Sequence, residues 1–193
     1  MRIGIIGKGH VGTAIGSGLS SKGHSVKYGH RDPKEPVSDA AEWGEVIVLA
    51  VPHENVEDAA KNIGSAADGK VLLDVTNAIN ENWDLTVGFS TSAAEELQKL
   101  LPKARVVKAF NTVFAKNQST GKLGQEQLTL FVASNDAKAK EIVMKLGSDI
   151  GFDPVDAGPL KSARYLEPMA VLLMTLAFNL GMGVGIGFRL VKA

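Results

Sequence analysis

Short blocks of apolar residues recur along the whole chain, and their spacing alternates between strand-like and helix-like. Residues 3–6 form an unbroken apolar run, after which Val11, Ile15 and Leu19 recur at helical spacing on one face. A second strand is expected over 25–28. The continuous run 46–51 fits a parallel strand covered on both faces. Residues 55–63 then place Val56, Ala59, Ala60 and Ile63 one helical turn apart. Further strands are expected over 71–75, 106–110, 128–133 and 154–155. Between them lie a helix over 92–101, stopped by Pro102, and one over 136–146 with Ala139, Ile142, Val143 and Leu146 inward. Repeated strand–helix alternation implies an α/β fold built on a parallel, right-handed doubly wound sheet. The pattern breaks near 156–159. Two parts are therefore expected, a sheet domain over 1–156 and a small helical C-terminal segment over 157–193.

The first strand–helix junction carries the most specific chemistry. It reads Gly7-Lys8-Gly9-His10-Val11-Gly12. In this pattern Gly7 permits the tight turn, Gly9 lets the backbone approach a pyrophosphate, and Gly12 lets the helix lie close on the sheet. The helix N-terminus presents N–H groups and partial positive charge to phosphates. Strand, loop, helix and second strand together form a dinucleotide-binding unit of the Rossmann type. A site for NAD would end the second strand in Asp or Glu, whereas here the tip is Gly29-His30-Arg31. Arg31 can grip a 2′-phosphate bidentately, with Lys34 adding charge and His30 beside them, which favours NADP. Asp32 stands next to Arg31 and leaves the alternative that a carboxylate faces the ribose.

Ligands of such sheets lie beyond the carboxyl ends of the strands. The expected strand ends are Ala50-Val51-Pro52-His53, then Thr76-Asn77-Ala78, then Phe110-Asn111-Thr112. We assign the first two groups to the cofactor and the third to the substrate. Asn77 and Asn111 offer amides to a ribose, a carboxamide or a substrate, although Asn and Pro are also ordinary turn residues. No catalytic residue is assigned. The histidines are His10, His24, His30 and His53, with no metal-ligand pairing among them. His24 reads as a surface-turn residue. Arg164 and Glu167 read as an i, i+3 ion pair, and Lys108 and Lys161 as candidate bases without partners. Oxidising an alcohol needs a base. Hydride exchange between a nicotinamide and a flavin-like ring needs mainly stacking at the right distance. A dinucleotide site without an evident base fits the second reaction.

Composition narrows the picture further. The chain has 193 residues, 21 basic and 21 acidic, so no general attraction to nucleic acid or anionic membrane is expected. It has no cysteine, which excludes disulfides, thiolate metal sites and cysteine nucleophiles and suits a cytoplasmic location. The opening strand leaves no signal peptide to expect. Residues 169–188 carry no formal charge and match a membrane span in length. However, Thr175, Asn179 and glycines at 181, 183, 185 and 187 interrupt them. Each Gly costs a helix roughly 1 kcal/mol relative to Ala. A helix buried against the domain or a second subunit, followed by an irregular apolar tail, is expected instead of a span, and with it a homodimer.

The chain resembles the NADPH-dependent oxidoreductases for coenzyme F420 and the related cytosolic NADPH domain of the six-transmembrane metalloreductases. The resemblance rests on Gly7 to Gly12, Gly29 to Pro33, Val48 to Pro52, Asp74 to Asn77 and Thr91 to Glu96. It continues through Val106 to Val113, Asp156 to Leu160, Ser162 to Arg164 with Glu167, and Gly181 to Phe188. It implies a Rossmann domain with a small helical tail, NADPH held with its 2′-phosphate on Arg31, and si-face hydride transfer to a deazaflavin (F420) or a flavin (FMN or FAD). It also implies a tail that covers the nicotinamide pocket and helps form dimers. His30 departs from the family, which commonly has serine there. A complete metalloreductase is not expected, because no membrane domain follows. Pyrroline-carboxylate reductases open similarly but carry a longer helical dimerisation domain. The alternative function is a non-catalytic NADP-binding module that reports redox state to a partner.

Overall fold

The computed structural model describes residues 1–80, 82 and 84–192. The chain order is β1 (Arg2–Ile6), α1 (His10–Ser21), β2 (Ser25–Gly29), α2 (Val37–Trp43), β3 (Val46–Leu49), α3 (Val56–Ile63), β4 (Val71–Asp74), α4 (Ala93–Leu100) and β5 (Arg105–Lys108). There follow α5 (Ala115–Gln118), a hairpin β6 (Lys122–Leu123) and β7 (Glu126–Gln127), then β8 (Thr129–Ser134), α6 (Ala137–Ile150), β9 (Asp153–Asp156) and α7 (Ala163–Met174). A π-turn, Thr175–Asn179, extends α7.

Seven strands form one sheet in the order β2-β1-β3-β4-β5-β8-β9. The first five run parallel. β3 and β4 are buried on both faces, which is why β3 reads Val-Ile-Val-Leu and β4 opens Val-Leu-Leu. One face packs on α1 and α6 through Ile5, Ile15, Leu19, Val143 and Leu146. The other packs on α2, α3 and α4 through Ala40, Ile47, Ala59 and Leu97, and Leu160 and Ala163 of the C-terminal segment join that same core. The doubly wound sheet is the expected one, with a difference at its far edge. β8 runs antiparallel to β5, and β9 runs parallel to β8. A parallel return needs a crossover across a sheet face. Residues 109–128 hold only α5 and the β6–β7 hairpin, and they deliver the chain back at the carboxyl end of β5.

The periodicity gave no element between 35 and 45, where α2 forms. α2 is short and lies nearly on the backbone of β1. A Cβ added to Gly4 would stand 2.1 Å from the Ala40 carbonyl oxygen. The fifth strand also ends earlier than expected, at Lys108, since Phe110 turns to φ 65° and closes its ring edge-on against Phe152.

Candidate functional site

Chain order reverses between β1 and β3, which lie side by side although α1, β2 and α2 separate them in sequence. Such a switch point opens a crevice at the strand carboxyl ends. Here it is a cleft of about 660 Å³ lined by the Gly7–Gly9 loop, the β2 tip from His30 to Pro33, and Ala50, Val51 and Pro52.

The three glycines have distinct surroundings. Gly7 sits at φ 109° and donates its N–H to the Gly29 carbonyl at 2.9 Å, which ties the loop to the β2 tip. At Gly12 a Cβ would meet the Gly7 carbonyl oxygen at 2.2 Å, so α1 lies directly on the loop. Nothing lies within 4 Å of a Cβ added to Gly9. Gly9 therefore faces open space at the start of α1, whose first turn has neither an acidic residue nor a side-chain cap. Helix N-termini leave N–H groups without intrahelical partners, so this end is ready for an anion. His10 is exposed in the first helical turn, while Val11 packs partly into the core.

At the β2 tip, the Arg31 guanidinium donates to the Asn55 side-chain oxygen. Lys8 donates to the Glu35 carboxylate at 2.7 Å, and the same oxygen lies 2.5 Å from His30 Nε2. Hydrogen bonds from Lys8 and then His30 hold the Glu35 carboxyl below the usual carboxylate range. Asp32 lines the cleft and accepts the Lys34 backbone N–H at 2.9 Å. Lys34 is exposed and outside the cleft lining. Glu35 had not been singled out. The one sequence signal for it is an acidic residue closing a tight segment that begins with His30 and Arg31.

The remaining strand-end residues are engaged with each other. The Asn111 amide donates to the Asn77 side-chain oxygen at 3.0 Å and to the Leu166 carbonyl at 2.9 Å. Asn77 returns a bond to the Asn111 carbonyl at 3.1 Å. Phe110, Thr112, Thr76 and Ala78 are buried. His53 begins a short 3-10 turn, and its Nδ1 is buried with no hydrogen-bond partner. None of these residues lines the cleft at the switch point.

Three expectations about charged residues are corrected. Lys108 is not an unpartnered base. Fully buried, it donates to Asp74 at 2.9 Å and to the Thr76 carbonyl at 2.6 Å, and stands 3.0 Å from Glu167. Burial alone would lower its pKa. The attraction of two buried carboxylates outweighs that and raises it above the ordinary lysine value. Glu167 does not pair with Arg164. Its carboxylate accepts the backbone N–H groups of Ala93 at 2.9 Å and Ala94 at 3.2 Å, capping α4 across space. Arg164 instead forms a fork on Glu95, with both bonds at 2.8 Å. The C-terminal helix is thus fastened to the start of α4 at two points. A signal was present in the sequence, since Asp74 and Lys108 are charged residues that each follow a run of buried apolar positions; the structure makes them direct register partners. Finally, His24 is not simply a surface-turn residue. Its side chain is largely buried, 3.3 Å from Asp149. Lys161 is exposed.

The C-terminal helix starts at Ala163, where Arg164 and Glu167 were expected to open it, and it tolerates Pro168 inside it. Beyond the π-turn the chain is irregular, with Leu180 and Met182 more than half exposed, and it is held at its end by the Thr129 N–H bond to the Phe188 carbonyl at 3.0 Å. Among the described residues no helix is long and apolar enough to cross a membrane.

The family profile described as NADP oxidoreductase, coenzyme F420-dependent, matches residues 2–78, the segment that builds the cleft. The fold of a putative F420-dependent NADP reductase from Arthrobacter sp. FB24 superposes on the whole chain with a TM-score of 0.93, at 27% identity and full coverage of both chains. The chain resembles the coenzyme F420-dependent NADP oxidoreductases, in sequence over residues 2–78 and in fold over its whole length. The F420-dependent NADP reductase of Methanothermobacter marburgensis is 28% identical over 211 residues, covering 91% of this chain and 92% of that protein. The metalloreductase STEAP3 of Rattus norvegicus is 29% identical over 185 residues, which cover 90% of this chain. The chain spans only 37% of that metalloreductase's length.

Proposed function

We propose that this chain binds NADPH in the cleft between β1, β2 and β3 and passes its hydride to a planar redox ring, coenzyme F420 or a flavin. The observation that carries the reading is the open space over Gly9 at an uncapped helix N-terminus, beside a strand tip bearing Arg31. Gly7, Gly9 and the first turn of α1 would take the pyrophosphate. Arg31, with His30, Lys8 and Lys34 close in sequence or space, would take the 2′-phosphate. Ala50, Val51 and Pro52 form the wall towards the nicotinamide. The bound nicotinamide supplies the hydride. The chain's own part is to orient it and exclude water. Lys108 supports that part, because its ammonium is held by Asp74, Glu167 and the Thr76 carbonyl and is not presented to a substrate.

NADPH oxidation followed with F420, with FMN, with FAD and with no acceptor tests the proposal. Turnover with one of these rings above the acceptor-free rate is expected. NADPH binding without turnover on any ring would favour the redox-reporting module instead. For cofactor choice, Arg31→Ala should weaken NADPH by about 1–3 kcal/mol, the usual cost of losing a hydrogen bond to a charged group, and leave NADH nearly unchanged. Equal losses for both cofactors in a binding titration would remove Arg31 from the 2′-phosphate.

The active form we propose is a homodimer joined through the C-terminal segment. Leu172, Leu180 and Met182 each expose more than half of their surface, and Phe178 nearly half. Soluble chains rarely leave such a patch facing water, and a two-fold copy of the same segment is the commonest cover. Sedimentation velocity without detergent should give a dimer; a monomer at micromolar concentration would defeat this.

A further inference from the structure

The β2 tip gathers three cationic or protonatable side chains at one end of the cleft, Lys8, His30 and Arg31, all among its lining. Two of them are already occupied. One oxygen of Glu35 takes a hydrogen bond from Lys8 at 2.7 Å and faces His30 Nε2 at 2.5 Å. Arg31, among the described residues, has the neutral carboxamide of Asn55 as its side-chain hydrogen-bond partner.

The position of Glu35 is built into the loop that carries Arg31. His30 N–H donates to the Glu35 carbonyl at 2.8 Å, and Glu35 N–H donates to the Asp32 carbonyl at 2.9 Å. Those bonds fix the Glu35 backbone beside His30, so its carboxylate stays in this corner. The Glu35 side chain is about 40% exposed, so this corner lies at the protein–water boundary.

We propose that Glu35 is a specificity-determining residue that limits the chain's preference for the phosphorylated cofactor by acting as an internal competitor for Lys8 and His30. The inference rests on the NADP reading above. A 2′-phosphate carries close to two negative charges near pH 7. It is repelled by a carboxylate in the same corner and must share that carboxylate's cations, whereas a 2′-hydroxyl carries no charge and meets neither penalty. Glu35 therefore weakens NADPH selectively and leaves Arg31 as the main discriminator. Because these charges lie at the protein–water boundary, the effect must shrink as salt is raised.

The test is a fluorescence or calorimetric titration of the full chain and of Glu35→Gln with NADPH and with NADH at low and at high salt. Gln keeps the size and an acceptor oxygen and removes the charge. The expected result is NADPH tightened about fivefold at low salt, NADH changed by less than about twofold, and a smaller NADPH gain at high salt. A second variant gives an independent readout: Lys8→Gln should cost more NADPH affinity in the Glu35→Gln background than in the natural chain, because Lys8 is then free. An NADPH affinity unchanged or weakened by Glu35→Gln, or equal gains for both cofactors, overturns the proposal. Failure of the natural chain to bind either cofactor would overturn the cofactor reading itself and this inference with it, and it is seen before any variant is made.

Discussion

Lys108→Met should destabilise the folded chain by about 3–5 kcal/mol, the usual cost of removing one partner from a buried ionic cluster. The ammonium is fully buried between Asp74 and Glu167. Methionine fills similar volume but leaves two carboxylates in the interior without their cation. Glu167→Gln should cost less. It retains an acceptor for the start of α4 and reduces the cluster to one cation and one anion. Urea unfolding of the three proteins measures the difference, and a Lys108→Met loss under about 1 kcal/mol would show the cluster to be energetically idle. The pH dependence has a definite sign. The folded-state pKa of Lys108 lies above its unfolded value. The stability it contributes is therefore complete at neutral pH and is lost as pH rises through the folded-state value. The natural chain should lose this increment in strong alkali, and Lys108→Met should lack that step.

Gly9→Val should abolish NADPH binding, a loss of more than about 100-fold or roughly 2.7 kcal/mol, while the thermal midpoint without ligand stays within a few degrees. Apart from its chain neighbours, nothing lies within 4 Å of a Cβ at this position, so the side chain projects away from the packed fold. Gly12→Val is the contrasting case. Its Cβ would collide with the Gly7 carbonyl oxygen at 2.2 Å and push α1 off the loop, so this variant should unfold or melt far lower. Melting curves with and without NADPH separate the two, since a ligand that binds only the folded state raises its midpoint. A Gly9→Val protein still stabilised by NADPH would place the cofactor elsewhere.

Much of this architecture is legible in the residue pattern. Unbroken apolar runs such as Val46–Leu49 report burial on both faces, and helical spacing in residues 56–63 reports burial on one. The glycine loop was legible from the fixed spacing of its glycines, of which Gly7 needs a positive φ and Gly12 leaves no room for a Cβ, while Gly9 keeps the space beside the helix start open. α2 was not legible. Its seven residues carry too short an apolar stripe, and they are held by close approach to the bare backbone of Gly4 and by the Lys70 ammonium, which donates to the Ala41 and Glu42 carbonyls. The reversal at β8 was invisible for a similar reason, because direction depends on where a connection lands and periodicity is the same for either direction.

Residue pattern sufficed for the alternation of the main strands and helices, the glycine loop and the basic tip of β2, since each is written in residues close together in the chain. Tertiary structure alone decided which charges meet. Asp74, Lys108 and Glu167 come together because β4 and β5 share a register and α7 docks on the start of α4. Glu35 reaches Lys8 because Gly7 bonds the loop to the β2 tip. A side chain's type sets what it can pair with, but the partner is chosen by packing between segments far apart in sequence, and local patterns carry no record of that packing.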